Sequence, residues 1–166
     1  MSTLLQINTS LFSEKGQSSS LASDFVEKWK QANPDGKVIV RDLAKNTVPH
    51  LTGERFQAFL TEASERTAEQ VSYAAESDRL IEELESADIV VLGLPMYNFG
   101  IPSTLKAWID HVARAGKTFK YTESGPVGLL ADRPMHIFAA VSYTHLRAHE
   151  TNESISYAVC CLKKRG

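Results

Sequence analysis

Two stretches of this chain carry side chains suited to chemistry. The first, Thr9-Ser10-Leu11-Phe12-Ser13-Glu14-Lys15-Gly16-Gln17-Ser18-Ser19-Ser20, is rich in hydroxyls and holds one glycine. A segment of this kind, leading from a strand into a helix, presents unpaired backbone N–H groups and the positive end of the helix dipole, which together favour a phosphate. The same serines also suit plain capping, with Ser18 to Ser20 as N-cap hydroxyls. The second stretch, Pro95-Met96-Tyr97-Asn98-Phe99-Gly100-Ile101-Pro102, sets thioether, phenol, amide and phenyl groups between two prolines. A proline-bounded turn is a poor place to fill a core and a good one to contact a ligand. Asn98, taken alone, is also an ordinary turn residue.

The elements around these stretches put both in one place. Ile89-Val90-Val91-Leu92-Gly93-Leu94 is an almost unbroken apolar, β-branched run, the pattern of a strand covered on both faces of a parallel sheet. Pro95 stops its ladder, and Pro102 opens a helix at its first position. That helix has Leu105, Trp108, Ile109 and Val112 in one apolar stripe and Gly116 as its C-terminal cap, with His111 on the surface or behind a site. The first stretch follows a short strand, Thr3 to Asn8, and enters a helix with Leu21, Phe25, Val26 and Trp29 on one face. Asn33-Pro34-Asp35-Gly36 turns into a second strand, Lys37 to Arg41. Asp42 to Gly53 is irregular, Phe56, Phe59 and Leu60 mark a short helix, and Thr67 to Ser86 a longer one with Val71, Ala74, Ala75, Ile81 and Leu84 inward. Thr118 to Glu123 reads as an exposed strand or extended loop, Gly125-Pro126 as a turn, and Met135 to Val141 as a fourth buried strand. Strands alternating with helices define an open, doubly wound α/β sheet, in which ligands bind beyond the carboxyl ends of the strands, where both stretches fall.

Composition narrows the functions. The 166 residues, 43% hydrophobic and 23% charged with a formal net charge of -2, describe a globular chain with no overall basic field for nucleic acid or an anionic membrane. The start lacks a basic region and its apolar run is too short for a signal peptide, and no segment approaches a membrane helix, so a cytoplasmic location is expected. Cys160 and Cys161 are adjacent and offer no disulfide framework, so any redox chemistry is not thiol chemistry. No G-x-G-x-x-G, G-x-x-x-x-G-K-[ST] or G-x-S-x-G is present, which argues against a dinucleotide-binding Rossmann domain, a P-loop and a serine hydrolase. Asn8, Thr9 and Leu94 stand where a response regulator needs carboxylates.

The hydroxyl loop, Pro95-Met96-Tyr97-Asn98-Phe99, and Val112-Ala113-Arg114-Ala115-Gly116-Lys117-Thr118-Phe119-Lys120-Tyr121-Thr122 with Gly125-Pro126 resemble the FMN-dependent NADH:quinone oxidoreductase / azoreductase family of flavodoxin-like fold, over Met1 to Ala140. The combination of P-M-Y-N-F with A-R-A-G-x-T-F-x-Y is its specific part. The resemblance implies that Ser10, Gly16, Gln17 and Ser18 hold the FMN phosphate, and that Met96, Tyr97, Asn98 and Phe99 flank the ribityl chain and isoalloxazine. Gly16 stands where the family often has a hydroxyl residue, so that bond comes from backbone alone. The implied activity is a ping-pong cycle: NADH delivers a hydride to FMN, and two electrons pass on to a quinone or an azo bond. The family is homodimeric, and Phe119 and Tyr121 would line a substrate or dimer surface.

The pattern breaks at Val141. A glycine-rich loop is expected there, and Val141 to Gly166 lacks the apolar strand and helix that complete the five-strand order 2-1-3-4-5. The segment resembles a translated sequencing-adapter read-through. The expectation is therefore a flavodoxin-like sheet of four of its five strands in residues 1–140, FMN-binding but incomplete, and a poorly packed tail over 141–166. His145, His149, Cys160 and Cys161 lack zinc-site spacing, and no metal is expected. Two other readings stay open: a flavodoxin-type electron carrier, whose acidic surface the sequence does not display, and an inactive fragment that retains no FMN.

Overall fold

The computed structural model describes residues 2–140 and the backbone of residues 158–161. Its main sheet has the order β2-β1-β3-β6-β7. The strands are β1 (Thr3–Asn8), β2 (Lys37–Asp42), β3 (Ile89–Pro95), β6 (Met135–Ala140) and β7 (Ala158–Cys161). The first four run parallel, with Leu5 opposite Ile39 and Val90, and Leu92 opposite Ile137. This is the four-strand, doubly wound arrangement expected from the sequence.

Alternation along β1 divides the core. Leu5 and Ile7 face a cluster with Val90, Leu92, Leu80, Ile81 and Leu84 of α3 (Ala68–Glu85), and Leu105, Trp108 and Val112 of α4 (Ser103–Val112). Leu4 faces the opposite way, onto Ala22 and Val26 of α1 (Gln17–Ala32), with Val91 beside it. Burying each such leucine or isoleucine contributes about 1.5–3 kcal/mol, so the two clusters hold the helices on the two faces of the sheet. Gln6 and Asn8 share the α1 face and satisfy each other, Gln6 Nε2 donating to Asn8 Oδ1 and to Ser23 Oγ, each at 3.0 Å.

Several elements differ from the sequence reading. The short helix expected around Phe56, Phe59 and Leu60 is α2 (Gly53–Leu60), with Phe56 and Leu60 exposed. The inward face of α3 is Ala74, Ser77, Leu80, Ile81 and Leu84, while Val71 and Ala75 point outward. Ser77 can occupy that face because its hydroxyl donates to the His111 carbonyl at 2.5 Å. α4 ends with Ala113 as C-cap, and Pro102 precedes the helix as its N-cap. Gly116, at φ 81°, serves a later bend where its N–H donates to Phe119 O. Gly125-Pro126 opens a strand, β5 (Gly125–Gly128), paired antiparallel with β4 (Phe119–Thr122). Beyond Val141, where no further strand was expected, β7 occupies the fifth position but runs antiparallel to β6. Its Ala-Val-Cys-Cys sequence is compatible with a ladder, and the outer edge of β6 offers unpaired backbone groups to it. The packing expected of the rest of the 141–166 segment, and the His145 and His149 question, lie outside the described residues.

Candidate functional site

The two chemically equipped loops meet at the carboxyl ends of β1 and β3. Thr9, fully buried, ties them at the base: its N–H and its hydroxyl both donate to Gly93 O, at 3.3 and 2.8 Å. A 3-10 turn over Ser13–Lys15 then leads to Gly16, the N-cap of α1. No side chain caps this helix. Its first backbone bond runs from Ser20 N–H to Gly16 O, which leaves the N–H groups of Gln17, Ser18 and Ser19 ahead of the ladder with no intrahelical acceptor.

Here the structure corrects the capping expectation for Ser18 to Ser20. The helix begins before them, so Ser18 and Ser19 lie in its first turn, turned inward and without exposure, and their hydroxyl oxygens have no hydrogen-bond partner. The close approach of α1 to β3 is permitted by Gly93, where a Cβ would stand 3.0 Å from Ser18 O. Thr9 and Gly93 were not singled out by sequence; a hydroxyl at the end of one apolar strand and a glycine near the end of another were the available signals. Ser10 is 1% exposed, and its Oγ accepts the Phe12 N–H at 3.2 Å. Donor groups therefore outnumber acceptors at the start of α1, and with the positive end of the helix dipole they suit a phosphate.

In the second loop, Tyr97 and Gly100 exchange two backbone hydrogen bonds of 3.0 Å around Asn98 and Phe99. Asn98 has φ 49° and Phe99 φ 64°, the pattern of a type I′ turn. A phenylalanine in left-handed backbone costs roughly 1–2 kcal/mol, and Phe99 is nevertheless 97% exposed. Nothing in the fold of the described residues needs that ring, whereas a planar ligand laid along the loop would. Met96, Leu11, Phe12 and Ile101 are exposed apolar groups along the same two loops. The loops are joined through the Tyr97 phenol, whose oxygen accepts Leu11 N–H at 3.2 Å and lies 3.3 Å from Ser10 Oγ. Ser10, Gly16, Gln17 and Ser18 thus lie on the β1 side of this contact, and Met96, Tyr97, Asn98 and Phe99 on the β3 side.

The A-R-A-G-x-T-F segment does different work. Arg114 is 5% exposed, donates to Ser77 Oγ at 3.1 Å and Asp78 Oδ1 at 2.5 Å, and lies over the Phe59 ring. Thr118 Oγ1 accepts Arg114 N–H at 2.9 Å and donates to Val112 O at 2.7 Å, locking the exit of α4. His111 is fully buried rather than on the surface: Nε2 lies 3.0 Å from Pro49 O, Nδ1 has no partner, and Phe59 meets it edge-on. Burial lowers its pKa below 6.5, aided by the Arg55 charge and partly opposed by Glu76. The aromatic pair Phe119 and Tyr121 stands on the β4–β5 hairpin with ring centroids 5.3 Å apart, Tyr121 largely exposed.

A four-stranded parallel sheet in the order 2-1-3-4, with an uncapped helix N-terminus after β1 and an aromatic turn after β3, defines a flavodoxin-like mononucleotide-binding protein. The comparisons agree. The family described as flavodoxin-like fold matches residues 2–161. The chain is 61% identical over 140 residues to an FMN-dependent NADH:quinone oxidoreductase of Cellvibrio japonicus, covering 84% of this chain and 70% of that one. A protein of the same name from Marinomonas sp. is 56% identical, with 84% and 71% covered. An FMN-dependent NADH-azoreductase of Bacillus anthracis, solved in complex with FMN, superposes with a TM-score of 0.77 at 30% identity, covering 89% of this chain and 73% of that one. The chain belongs to the FMN-dependent NADH:quinone oxidoreductase / azoreductase family of flavodoxin-like fold.

Proposed function

We propose that this chain binds FMN along the rim formed by its two loops and passes two electrons from NADH to quinones and azo compounds. The observation that carries the reading is the pairing of an uncapped α1 N-terminus with the Asn98-Phe99 turn across the Ser10–Tyr97 contact. The names of the relatives support it. The N–H groups of Gln17 and Ser18 and the Ser10 hydroxyl would hold the phosphate, with Gly16 contributing backbone only. Met96, Tyr97, Asn98 and Phe99 would flank the ribityl chain and the ring, Asn98 offering its amide to the polar ring edge.

Bound FMN supplies the hydride-accepting centre; the protein chiefly positions it. Phe99 and Met96 would cover an apolar part of the flavin and exclude water there, while the first turn of α1 would neutralise the phosphate through N–H donors and dipole. In this reading residues 1–140 form the FMN-binding unit, which the 140-residue span of the alignments supports. A cytoplasmic enzyme with NADH as its donor completes it, along with the family's homodimer. Among the described residues no helix is long and apolar enough to cross a membrane. Steady-state oxidation of NADH by the FMN-loaded protein, with a benzoquinone as acceptor, tests the reading: parallel double-reciprocal lines are expected for alternate binding of donor and acceptor, and intersecting lines or no turnover would count against it.

A further inference from the structure

His111 stands apart from the two loops, and its ring carries one unmatched atom. The imidazole has no exposure, and Nε2 lies 3.0 Å from Pro49 O. A carbonyl oxygen only accepts, so Nε2 carries the proton and Nδ1 is a bare lone pair, buried without a partner. A second proton on this ring would make a buried N–H cation, and the carboxylates around it are already engaged. Glu76 of α3 receives Arg55 of α2, and Asp110 of α4 receives Lys106, both at 2.6 Å, while Asp78 of α3 receives Arg114 and Lys117. Arg55 and Arg114 are themselves positive, and His50, beside Pro49, is exposed. In the packed state the ring therefore stays neutral.

One element over the ring is held far less firmly than the others. α3 and α4 each bury five residues, whereas α2 buries only Ala58. Phe59 of α2 meets His111 edge-on, with ring centroids 5.8 Å apart, and the Arg114 guanidinium lies 4.5 Å over the same phenyl ring. Arg55, which pairs with Glu76 and lies over the Tyr73 ring, is the other tie of α2 to α3. A helix of eight residues with one buried side chain opens at a fraction of the global unfolding free energy. A ring without exposure takes a proton from solvent only when a covering element moves, and α2 is the element free to do so. We propose that α2 is a proton-operated strap: uptake of a proton at His111 Nδ1 and lifting of α2 from α3 and α4 are one event, so that mild acid loosens this helix ahead of the sheet. None of these residues lies in the loops that the FMN reading uses.

Amide hydrogen exchange followed by NMR, read as protection factors at pH 7.5 and 5.5, would compare α2 with β1 and β3 in the purified chain and in His111→Gln. In wild type the α2 amides are expected to be at least about a hundredfold less protected than those of the strands, and to lose a further three- to tenfold, approximately, between the two pH values, as one linked proton allows. His111→Gln, which can still donate to Pro49 O, should remove the pH dependence of α2. Protection shared equally by α2 and the strands would overturn the proposal, because the helix would then open only with the whole fold. An α2 change below about threefold would overturn it as well, and so would an equal change in the variant, which would assign the titration to Glu76 or His50. Should His111→Gln not melt cooperatively, Phe59→Leu decides the matter: α2 protection at pH 7.5 should fall at least about threefold, and the His111 ring resonance should titrate closer to 6.5 than in wild type. An unmoved titration midpoint in that variant would overturn the proposal.

Discussion

A Cβ built on Gly16 would lie 2.0 Å from Ser10 Oγ and 2.6 Å from Ser10 Cβ. The glycine is therefore required by space and not by backbone conformation, its φ of -75° being open to any residue. Ser10 occupies the volume that a side chain at position 16 would fill. Gly16→Ala is expected to lower stability by about 1–3 kcal/mol, the range for overpacking, and to weaken FMN binding by pushing Ser10 from Tyr97. Denaturant unfolding of the variant checks this; a change within about 0.5 kcal/mol would mean the loop yields freely.

Asn98 shapes the turn, and the proposed reading adds a second, separable role of facing the ring. Asn98→Gly keeps the positive φ that the turn requires while removing the amide. It should leave thermal stability within about 1 kcal/mol and shift flavin affinity or the reduction potential. Loss of stability with unchanged flavin properties would restrict Asn98 to the turn.

In the proposed reading Phe99 sets function against stability. Asn-Gly is the preferred type I′ pair, so Phe99→Gly should relieve the left-handed phenylalanine and stabilise the flavin-free protein by about 1 kcal/mol, while weakening FMN. Melting curves with and without FMN measure both effects. Tighter FMN binding in the variant would exclude a ring-covering role for Phe99.

The elements that sequence located best are those whose side chains obey one rule. The apolar run of β3 was placed correctly because a doubly covered strand is apolar at nearly every position, and Thr3–Asn8 because Leu4, Leu5 and Ile7 mark it despite the polar Gln6 and Asn8. The two loops that carry the eight candidate residues occupy the expected ends of β1 and β3, and Ser10 meets Tyr97 between them. Polar burial was not legible. Ser77 sits inward because a carbonyl on another helix receives its proton, and His111 because Pro49 O and the Phe59 ring surround it. Such partners are distant in sequence. The start of α1 misled for a related reason: three serines in a row read as caps, but packing on Gly93 sets the register of the helix and draws two of them inside.

Burial of His111 ties stability to pH. Its pKa is lowered in the folded protein, so between that value and 6.5 the unfolded chain binds a proton the folded chain refuses. Stability should be complete above 6.5 and fall as pH drops below it, by at most about 1.4 kcal/mol per pH unit. Asp78 adds to this at lower pH: burial raises its pKa, but the Lys117 hydrogen bond and the Arg114 charge outweigh that and hold it below 3.8, so its contribution is lost on further acidification. His111→Gln, which can still donate to Pro49 O, should flatten the fall below 6.5. An unchanged profile in denaturant melts from pH 7.5 to 5 would exonerate His111.

The central claim is that the two loops form a site for FMN. Equilibrium titration of the purified chain, first freed of any bound flavin, with FMN and with riboflavin measures it directly. The account predicts saturable quenching of flavin fluorescence at one FMN per chain, with FMN bound more tightly than riboflavin because the α1 N-terminus holds the phosphate. Riboflavin binding as tightly as FMN, or no quenching by either, would contradict it.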